Sequence, residues 1–375
     1  MYFTVPITQD ASASAYQIMS YYLLDKEMAH RTNLQISNYI PYLKDEYYIQ
    51  DIYSNLLDEL SLYLKEKLSE NPSLLSVCNK LDRKIVKSIF MPMIYGKTMN
   101  STISDLKVAL ENYILFKESG ILASLIYKFW REKYPKPQII MNLIPLLAKF
   151  VSFNDRPVYY STPYFTTSQD YRKLSKNSVY YYDKKAKKRR SVTLTFSTDK
   201  RDKRKTQSST FVNFIHQKDA YIAMNMILTM MDKNLPIYTV HDNFITNTLC
   251  CESLSTYYLQ IFKDLGPPLR SINEFIYYNI IYPCPNKGGF KDLDKFPFDD
   301  VIPLSHLKEY LLAWDKPKSE TPKNWKIYIE RILTYYNEYC ITVGVSNKSQ
   351  EAWRYHLLNW HKFRDQLNGP FCLHH

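Results

Sequence analysis

The stretch YTVHDNFITN, residues 238–247, sets a histidine beside an aspartate between two short runs of strand-forming residues. β-Branched and aromatic side chains such as Val240 and Phe244 favour strands, whereas Asp242 and Asn243 tolerate the dihedral angles of a tight turn. The pattern therefore predicts a β-hairpin that carries Asp242 at its tip. Alone, a His-Asp pair at a turn is more often a solvated loop than a reactive site.

A second aspartate gives the hairpin a chemical partner. Asp10 follows a strand-like stretch, residues 1–8, and begins the sequence DASASAYQ, whose small side chains allow a close approach. Neighbouring strands lie about 4.8 Å apart, so Asp10 and Asp242 can meet at the end of one antiparallel sheet. Two such carboxylates are what phosphoryl transfer with two divalent cations requires.

A third element is the segment DRKIVKSIFMPMIYG, residues 82–96, which reads as a helix with Gly96 as its C-cap. On a helix, every fourth side chain lies on one stripe. The stripe consists of Arg83, Lys87, Met91 and Tyr95. It extends about 12 Å from lysine to tyrosine, at about 1.5 Å per residue, which suits a nucleotide with its phosphates on the cations. An ordinary amphipathic helix with a basic end explains the stripe equally well when it is considered alone.

Composition limits the classes of function. The chain has 375 residues, of which 45% are hydrophobic, and a formal net charge of +12. That charge favours a polyanionic partner, nucleic acid first and an acidic membrane surface second. No apolar run is long enough for a membrane span, and the first residues do not resemble a secretory signal. Six cysteines without C-x-x-C spacing favour free thiols in a reducing compartment. The final CLHH is expected to be a frayed terminus rather than a metal site.

Basic runs and element patterns divide the remainder of the chain. Helices are predicted over roughly 102–133 and 138–151, followed by a β-rich interval from about 157 to 215. Within that interval, strand-like flanks surround the basic tip 184–190, and a second basic run covers 200–205. A hairpin of this kind can follow a phosphate backbone, although such charge runs are as often solvated loops.

Four segments together resemble a known family. QDASASAYQIMSYYLLD, RKIVKSIFMPMIYG and VHDNF resemble motifs A, B and C of the bacteriophage-type single-subunit RNA polymerases, in the same order. That family includes mitochondrial enzymes and enzymes encoded on organellar plasmids. VNFIHQKDA, residues 212–220, is similar to the family's Asn-Phe-Val-His-Ser-x-Asp segment. Family A DNA polymerases share the fold of these enzymes. Their motif A is similar to DYSQIELR, and an aromatic residue follows their motif B lysine by four positions. DASASAYQ and Met91 in this chain therefore favour an RNA polymerase.

The resemblance implies an α+β fold that is mainly helical, a right-hand polymerase palm with a small antiparallel sheet and helical fingers. The family's N-terminal domain and thumb are expected to be absent from this chain. The implied division is palm with motif A at 1–40, fingers at 41–155 with the motif B helix at 82–97, a palm continuation with the basic hairpin and motif C at 156–250, and an unassigned helical C-terminal extension at 251–375.

The resemblance also implies which residues carry out the chemistry. Two Mg²⁺ ions would be bound by Asp10 and Asp242, with the backbone carbonyl of Ala11 as an accessory ligand. Lys87 would act with these aspartates as a catalytic residue. His241 would lie near the 3′ end of the growing RNA.

A second set of implied residues binds the incoming ribonucleoside triphosphate. Arg83 and Lys87 would contact the triphosphate, and Met91 and Tyr95 would lie along the nucleotide. Tyr95, assisted by His216, would sense the ribose 2′-hydroxyl. The implied partners are a DNA template, an RNA product and a separate N-terminal polymerase piece, and the implied location is the mitochondrion. A non-catalytic nucleic-acid-binding remnant of such a polymerase is the alternative.

Overall fold

A computed structural model of the chain describes residues 5–36, 49–111, 113, 116–285, 297–345 and 351–374. The helices are α1 Ser14–Leu23, α2 Lys26–Arg31, α3 Ile52–Lys67, α4 Pro72–Cys78, α5 Arg83–Met93, α6 Met99–Ala109, α7 Phe116–Lys133, α8 Pro135–Phe153, α9 Lys203–Asp232, α10 Cys251–Asp264, α11 Pro268–Ile276, α12 Leu304–Leu312, α13 Pro322–Thr342 and α14 Ala352–Arg364, with a π-helical turn at Tyr277–Ile281. The strands are β1 Pro6–Ala11, β2 Val158–Ser161, β3 Thr166–Gln169, β4 Arg172–Asp183, β5 Lys188–Arg201, β6 Tyr238–Val240, β7 Asn243–Asn247 and β8 Leu373–His374.

The strands form one four-stranded sheet and two separate hairpins. The larger sheet has the order β6-β7-β1-β8 and is antiparallel throughout. It therefore joins strands from the beginning, the middle and the end of the chain. The other two sheets are the pairs β2-β3 and β4-β5. The predicted class, mainly helical with small antiparallel sheets, is confirmed.

Helix α1 lies at the centre of the core and positions the four-stranded sheet. All ten of its residues are buried, and it packs against α2, α8, α9 and α11. The Tyr16 hydroxyl donates to the carbonyl oxygen of Phe90 at 2.8 Å, which ties α1 to α5. Because α1 begins three residues after β1 ends, the buried helix fixes the place of the strand that carries Asp10.

Several element boundaries differ from the predictions. The β-rich interval ends at residue 201, because 203–232 form the long helix α9, whose N-terminus is capped by the Asp202 carboxylate accepting from the Lys205 amide. The helix predicted over 102–133 is two helices, α6 and α7. β1 extends to residue 11, so Asp10 lies within the strand rather than after it. In the described ranges, no helix has the length and hydropathy that a bilayer span requires.

For residues 372–374 the expectation of a frayed end is wrong, whereas His375 lies outside the described residues. Leu373 and His374 form strand β8, which pairs with β1. The side chains of Cys372 and Leu373 are 0% and 1% exposed. Burial of these apolar groups, which composition alone did not indicate, explains why this segment is ordered.

Candidate active site

The two aspartates lie on neighbouring strands of the four-stranded sheet. In the β1-β7 ladder Asp10 is opposite Asn243, and the Ala11 amide donates to the Asp242 carbonyl at 3.2 Å. Asp10 is exposed and Asp242 is half-buried. The sheet therefore brings both carboxylate-bearing residues to the same end, where solvent reaches them.

The predicted hairpin is present, with Asp242 in its turn. β6 and β7 are joined by the two-residue loop His241-Asp242, because Val240 pairs with Asn243. His241 has a φ of 58°, and a positive φ at the first loop position is a feature of the tight hairpin turns. Histidine, asparagine and aspartate are the non-glycine residues found most often at positive φ. The turn therefore fixes the backbone that carries Asp242.

The donor set at this end of the sheet suits a hard divalent cation. Asp10 and Asp242 offer carboxylate oxygens, which are the ligands that Mg²⁺ prefers, and Mg²⁺ usually keeps several water or phosphate ligands besides one or two carboxylates. Throughout the part of the chain that the structure describes, no group of three His, Cys, Asp or Glu side chains is placed to hold a metal ion. The two carboxylates therefore fit, by their donor chemistry, only a cation whose other ligands are water and substrate phosphates.

Helix α5 presents the stripe predicted from the sequence. Its N-terminus is capped by the Asp82 carboxylate, which accepts from the Ile85 amide at 2.7 Å. One face of α5 is buried, formed by Val86, Ile89, Phe90 and Met93. Lys87 and Met91 are exposed, the latter by 43%. The apolar periodicity thus directs the lysine and the methionine away from the core.

The end of this helix is the predicted glycine cap. Gly96 has a φ of 84°, which glycine adopts without steric cost. The Lys97 amide donates to the Pro92 carbonyl at 3.1 Å, and the Gly96 amide donates to the Met93 carbonyl at 2.9 Å. This pair of hydrogen bonds is the Schellman arrangement, and it holds Tyr95 immediately before the glycine.

The cations of the stripe lie against a tyrosine that the sequence analysis did not select. The Lys87 ammonium is 5.6 Å from the ring centre of Tyr53, and the Arg83 guanidinium is 6.0 Å from it. Arg83 also forms an ion pair with Asp51. Burial raises the pKa of Tyr53, and the nearby charges of Tyr95, Asp51 and Asp242 add to that effect. No spacing rule connects α3 to α5, so only the packing identifies Tyr53.

Tyr95 and His216 lie together as stacked rings. Their ring centres are 4.9 Å apart, with an angle of 17° between the planes. Burial raises the pKa of Tyr95, assisted by the charges of Asp219 and Asp242. Burial lowers the pKa of His216, and the charge of His241 lowers it further. Because the charges of Asp242 and His241 act on Tyr95 and His216, the stacked pair lies close to the hairpin turn.

A third carboxylate, that of Asp219, lies near enough to the hairpin turn for the charge of Asp242 to act on it. It lies on α9, one helical turn after His216. Burial and the charge of Asp242 raise the pKa of Asp219 to about 6, while a hydrogen bond from Ser14 lowers it. Of the segment VNFIHQKDA, residues 212–220, only the histidine is among the predicted site residues. The aspartate at the eighth position of that segment was the available signal.

Comparison with known proteins places the chain in a family. Residues 2–265 match the family of DNA-dependent RNA polymerases. A probable DNA-directed RNA polymerase of Zea mays is 35% identical over 303 residues, covering 74% of this chain and 27% of that protein. A mitochondrial DNA-directed RNA polymerase 1B of Nicotiana tabacum is 23% identical over 303 residues, which cover 76% of this chain and 29% of that protein.

The mitochondrial DNA-directed RNA polymerase 1 of Arabidopsis thaliana is 24% identical over 312 residues, which cover 78% of this chain and 30% of that protein. The chain therefore spans less than a third of the length of these three relatives. It belongs to the phage-type, single-subunit family of DNA-dependent RNA polymerases, whose members are nucleotidyltransferases.

Proposed function

We propose that this chain is a catalytic portion of a DNA-directed RNA polymerase that performs template-directed ribonucleotidyl transfer. The observation that carries the proposal is the β1-β7 pairing, in which the Ala11 amide binds the Asp242 carbonyl and Asp10 lies on the adjacent strand. A two-metal site needs two carboxylates close together in space, and membership of the polymerase family supports the same reaction.

In this proposal Asp10 and Asp242 hold two Mg²⁺ ions, with the Ala11 carbonyl as an accessory ligand. The ions, when bound, neutralise charge on the reacting phosphate and on the attacking and leaving oxygens. The RNA 3′-hydroxyl attacks the α-phosphate of a ribonucleoside triphosphate, and pyrophosphate leaves. Most of the acceleration then comes from positioning and charge neutralisation. The exposed His241 is assigned to the neighbourhood of the RNA 3′ end.

The stripe on α5 is assigned to the incoming nucleotide. Lys87 and Arg83 bind the triphosphate, and the exposed Met91 lies along the nucleotide. Tyr95 senses the ribose 2′-hydroxyl with His216, whose ring stacks on it. The stacking supports this role because His216 restricts where the tyrosine hydroxyl can point.

The division into polymerase subdomains remains part of the proposal. We assign the palm to 1–40 and 156–250, the fingers to 41–155, and leave 251–375 as a helical extension of unknown role. A separate piece with the family's N-terminal domain and thumb is the proposed partner. A mitochondrial location is proposed from relatives whose names include that organelle.

The β4-β5 hairpin is assigned to the nucleic acid. Residues 172–201 include eleven Lys and Arg and two Asp, a net charge of +9 out of +12 for the whole chain. Directly opposed residues share a face of a β-ladder, so Tyr180, Tyr182 and Arg189 lie on one side. The two tyrosines are 74% and 58% exposed. Exposed rings beside cations suit bases and phosphates respectively.

The decisive experiment is extension of an RNA primer annealed to a DNA template, with Mg²⁺ and ribonucleotides, which requires neither a promoter nor initiation. The chain is tested alone and together with a candidate N-terminal piece. Asp242→Asn should abolish extension, because the amide keeps the shape of the side chain but loses the charge that holds the ions. Tight binding of the hybrid without any extension by the wild-type complex would favour the alternative, a non-catalytic nucleic-acid-binding remnant.

Sugar selection tests the assignment of Tyr95 separately. Tyr95→Phe keeps the ring that stacks on His216 and removes only the hydroxyl. The variant should extend the primer while discriminating less against deoxyribonucleotides, measured as the ratio of kcat/KM for the two sugars. The matched control is Tyr328→Phe, which removes the hydroxyl of a half-buried tyrosine that donates to the Leu146 carbonyl and should leave that ratio unchanged. An unchanged ratio in Tyr95→Phe would remove the assigned role.

The salt dependence of binding tests the hairpin. Replacing both Lys184 and Lys188 by Ala should reduce the slope of log K against log salt by about 1.4 to 1.8, at roughly 0.7–0.9 per phosphate contact. Replacing the exposed Lys323 and Lys326 of α13 is the matched control with the same change in net charge. Equal slopes in the two double variants would mean that the hairpin lysines are merely solvated.

A further inference from the structure

The β4-β5 hairpin is a long arm whose sides face solvent. β4 alone has 12 residues, from Arg172 at the base to Asp183 beside the tip, and spans about 37 Å at about 3.4 Å per residue. Within residues 173–200, all but Asp183 and Thr198 are exposed. Because the residues along the arm face solvent, its direction is decided by the contacts at its base.

One buried arginine joins that base to two other segments of the chain. Arg201 is the last residue of β5, and its side chain is 3% exposed. Its Nε donates to the Asp155 carboxylate at 3.1 Å, and its Nη2 donates to the Asp155 carbonyl at 3.0 Å. Its Nη1 donates to the carboxylate of Asp170. Asp155 follows α8 and Asp170 follows β3, so one guanidinium holds both segments against the end of the hairpin.

The other contacts at the base act within the hairpin or on the helix that follows it. The Asp202 amide donates to the Tyr171 carbonyl at 2.8 Å, and the Tyr171 hydroxyl accepts from the side-chain amide of Asn213 on α9 at 2.9 Å. Arg172 donates to the Asp199 carbonyl at 2.7 Å. These bonds keep the two strands paired at the start of α9. The Arg201 contacts add support from α8 and β3, outside that line of attachment.

We propose that the Arg201 clamp, formed by Arg201, Asp155 and Asp170, holds the arm in the direction in which it binds nucleic acid. A rotation of about 10° at the base would move the tip by about 6 Å over this length. An ion pair with a phosphate requires a distance of about 4 Å or less, so such a rotation would break it.

The chemistry of arginine suits this role. The planar guanidinium presents its N–H groups in a fixed fork and so fixes the angle between its partners, whereas a lysine ammonium is a single point charge. The inference rests on the proposed binding of nucleic acid by the β4-β5 hairpin. It makes Arg201 a positioning residue for that binding, since a buried side chain does not contact the nucleic acid itself.

The affinity for a short RNA–DNA hybrid, measured by fluorescence anisotropy at several salt concentrations, tests the proposal. Arg201→Met should raise the Kd about tenfold, which corresponds to an arm that is competent to bind in about a tenth of the molecules. The slope of log K against log salt should stay at the wild-type value, because the phosphate contacts of the bound state are retained. Replacement of Lys184 and Lys188 reduces that slope, so the two defects are distinguishable.

Arg31→Met is the matched control for the loss of a poorly exposed arginine. The Arg31 side chain is 16% exposed and binds Glu27, Glu59 and Tyr134, so the variant removes the same charge and a similar number of contacts. Its Kd should stay close to the wild-type value. A Kd raised equally in both variants would show a general effect of charge or stability and would overturn the proposal.

Arg201→Lys separates the fork from the charge. It retains the charge but cannot hold both aspartates at a fixed angle, so its Kd should approach that of Arg201→Met. The side chains of Asp155 and Asp170 are 73% and 45% exposed, so loss of the arginine leaves no buried carboxylate without a partner and the variants should fold. A wild-type Kd in Arg201→Lys would overturn the clamp.

The direction of the arm is measured directly by double electron–electron resonance. Spin labels are attached through Ala186→Cys at the tip and Ser208→Cys on α9, in a Cys251→Ser background, because the other native cysteines are buried. The distance distribution should be narrow with Arg201 present and broader in Arg201→Met. Equal widths would overturn the proposal, as would a broader distribution with an unchanged Kd.

The lysine variant distinguishes the two levels of the proposal. If replacing Lys184 and Lys188 leaves the salt slope at the value of its α13 control, the nucleic-acid role of the hairpin fails, and the inference about Arg201 fails with it. If that slope falls but Arg201→Met leaves the Kd unchanged, only the inference about Arg201 fails.

Discussion

Lys97 compensates for a proline inside the helix that carries the nucleotide-binding stripe. Pro92 has no N–H, so it cannot donate to the Ser88 carbonyl one turn earlier. The Lys97 ammonium donates to that carbonyl at 3.1 Å and also forms an ion pair with Asp105. The lysine side chain is only 7% exposed. Replacing it should therefore destabilise the end of α5, where Tyr95 is held.

Lys97→Met keeps the apolar stem and removes the charge. Loss of a hydrogen bond from a charged donor costs about 1.5–3 kcal/mol. The Asp105 side chain is 48% exposed, so solvent screening limits the ion pair to about 1 kcal/mol or less. The expected decrease in the free energy of unfolding is thus about 2–3 kcal/mol, measured by urea denaturation. Lys308→Met, which breaks the exposed Lys308–Glu330 pair, should cost less than about 1 kcal/mol.

A double-mutant cycle tests the cause. Pro92→Ala restores a backbone N–H that can donate to the Ser88 carbonyl. In that background Lys97→Met should cost about 1 kcal/mol less than in the wild-type protein, because the carbonyl no longer depends on the lysine. The same cost in both backgrounds would refute the reasoning.

Two further predictions concern buried polar groups. Gln17 is fully buried, donates to two carbonyls and accepts from the Tyr258 hydroxyl, so Gln17→Leu should cost about 3 kcal/mol or more, read from the urea midpoint. Burial lowers the pKa of His356 from 6.5 to about 4. The unfolded chain therefore binds a proton more readily, and stability should fall by up to about 3 kcal/mol as the pH drops from about 6.5 to 4. His356→Phe should flatten that dependence; unchanged pH profiles would contradict the assignment.

Local patterns in the sequence were sufficient to predict several structural elements. The hairpin around Asp242 followed from turn formers between strand formers, and the cap at Gly96 followed from a glycine after a helical stripe. Both depend on backbone preferences within a few residues. The order of four motifs along the chain was sufficient to identify the family. The hairpin, the helix cap and the family could therefore be predicted without knowledge of the tertiary contacts.

The helix α9 shows where local preference failed. Its segment contains strand-forming residues such as Phe211, Phe214 and Ile215, which extend the predicted β-rich interval to 215. In the structure these three side chains are buried on one face of a 30-residue helix. Burial of a helical face outweighed an intrinsic preference of well under 1 kcal/mol per residue.

Only the tertiary structure decided which groups surround the two aspartates. Tyr53 lies beside Lys87 because α3 packs on α5, and Asp219 lies beside Asp242 because α9 packs on α1. His374 lies opposite Asp10 because strand pairing joins the two ends of the described chain. Such contacts depend on the burial of whole helices and on sheet closure over more than 300 residues. Local spacing carries no information about them, since a hydrophobic face does not specify its partner.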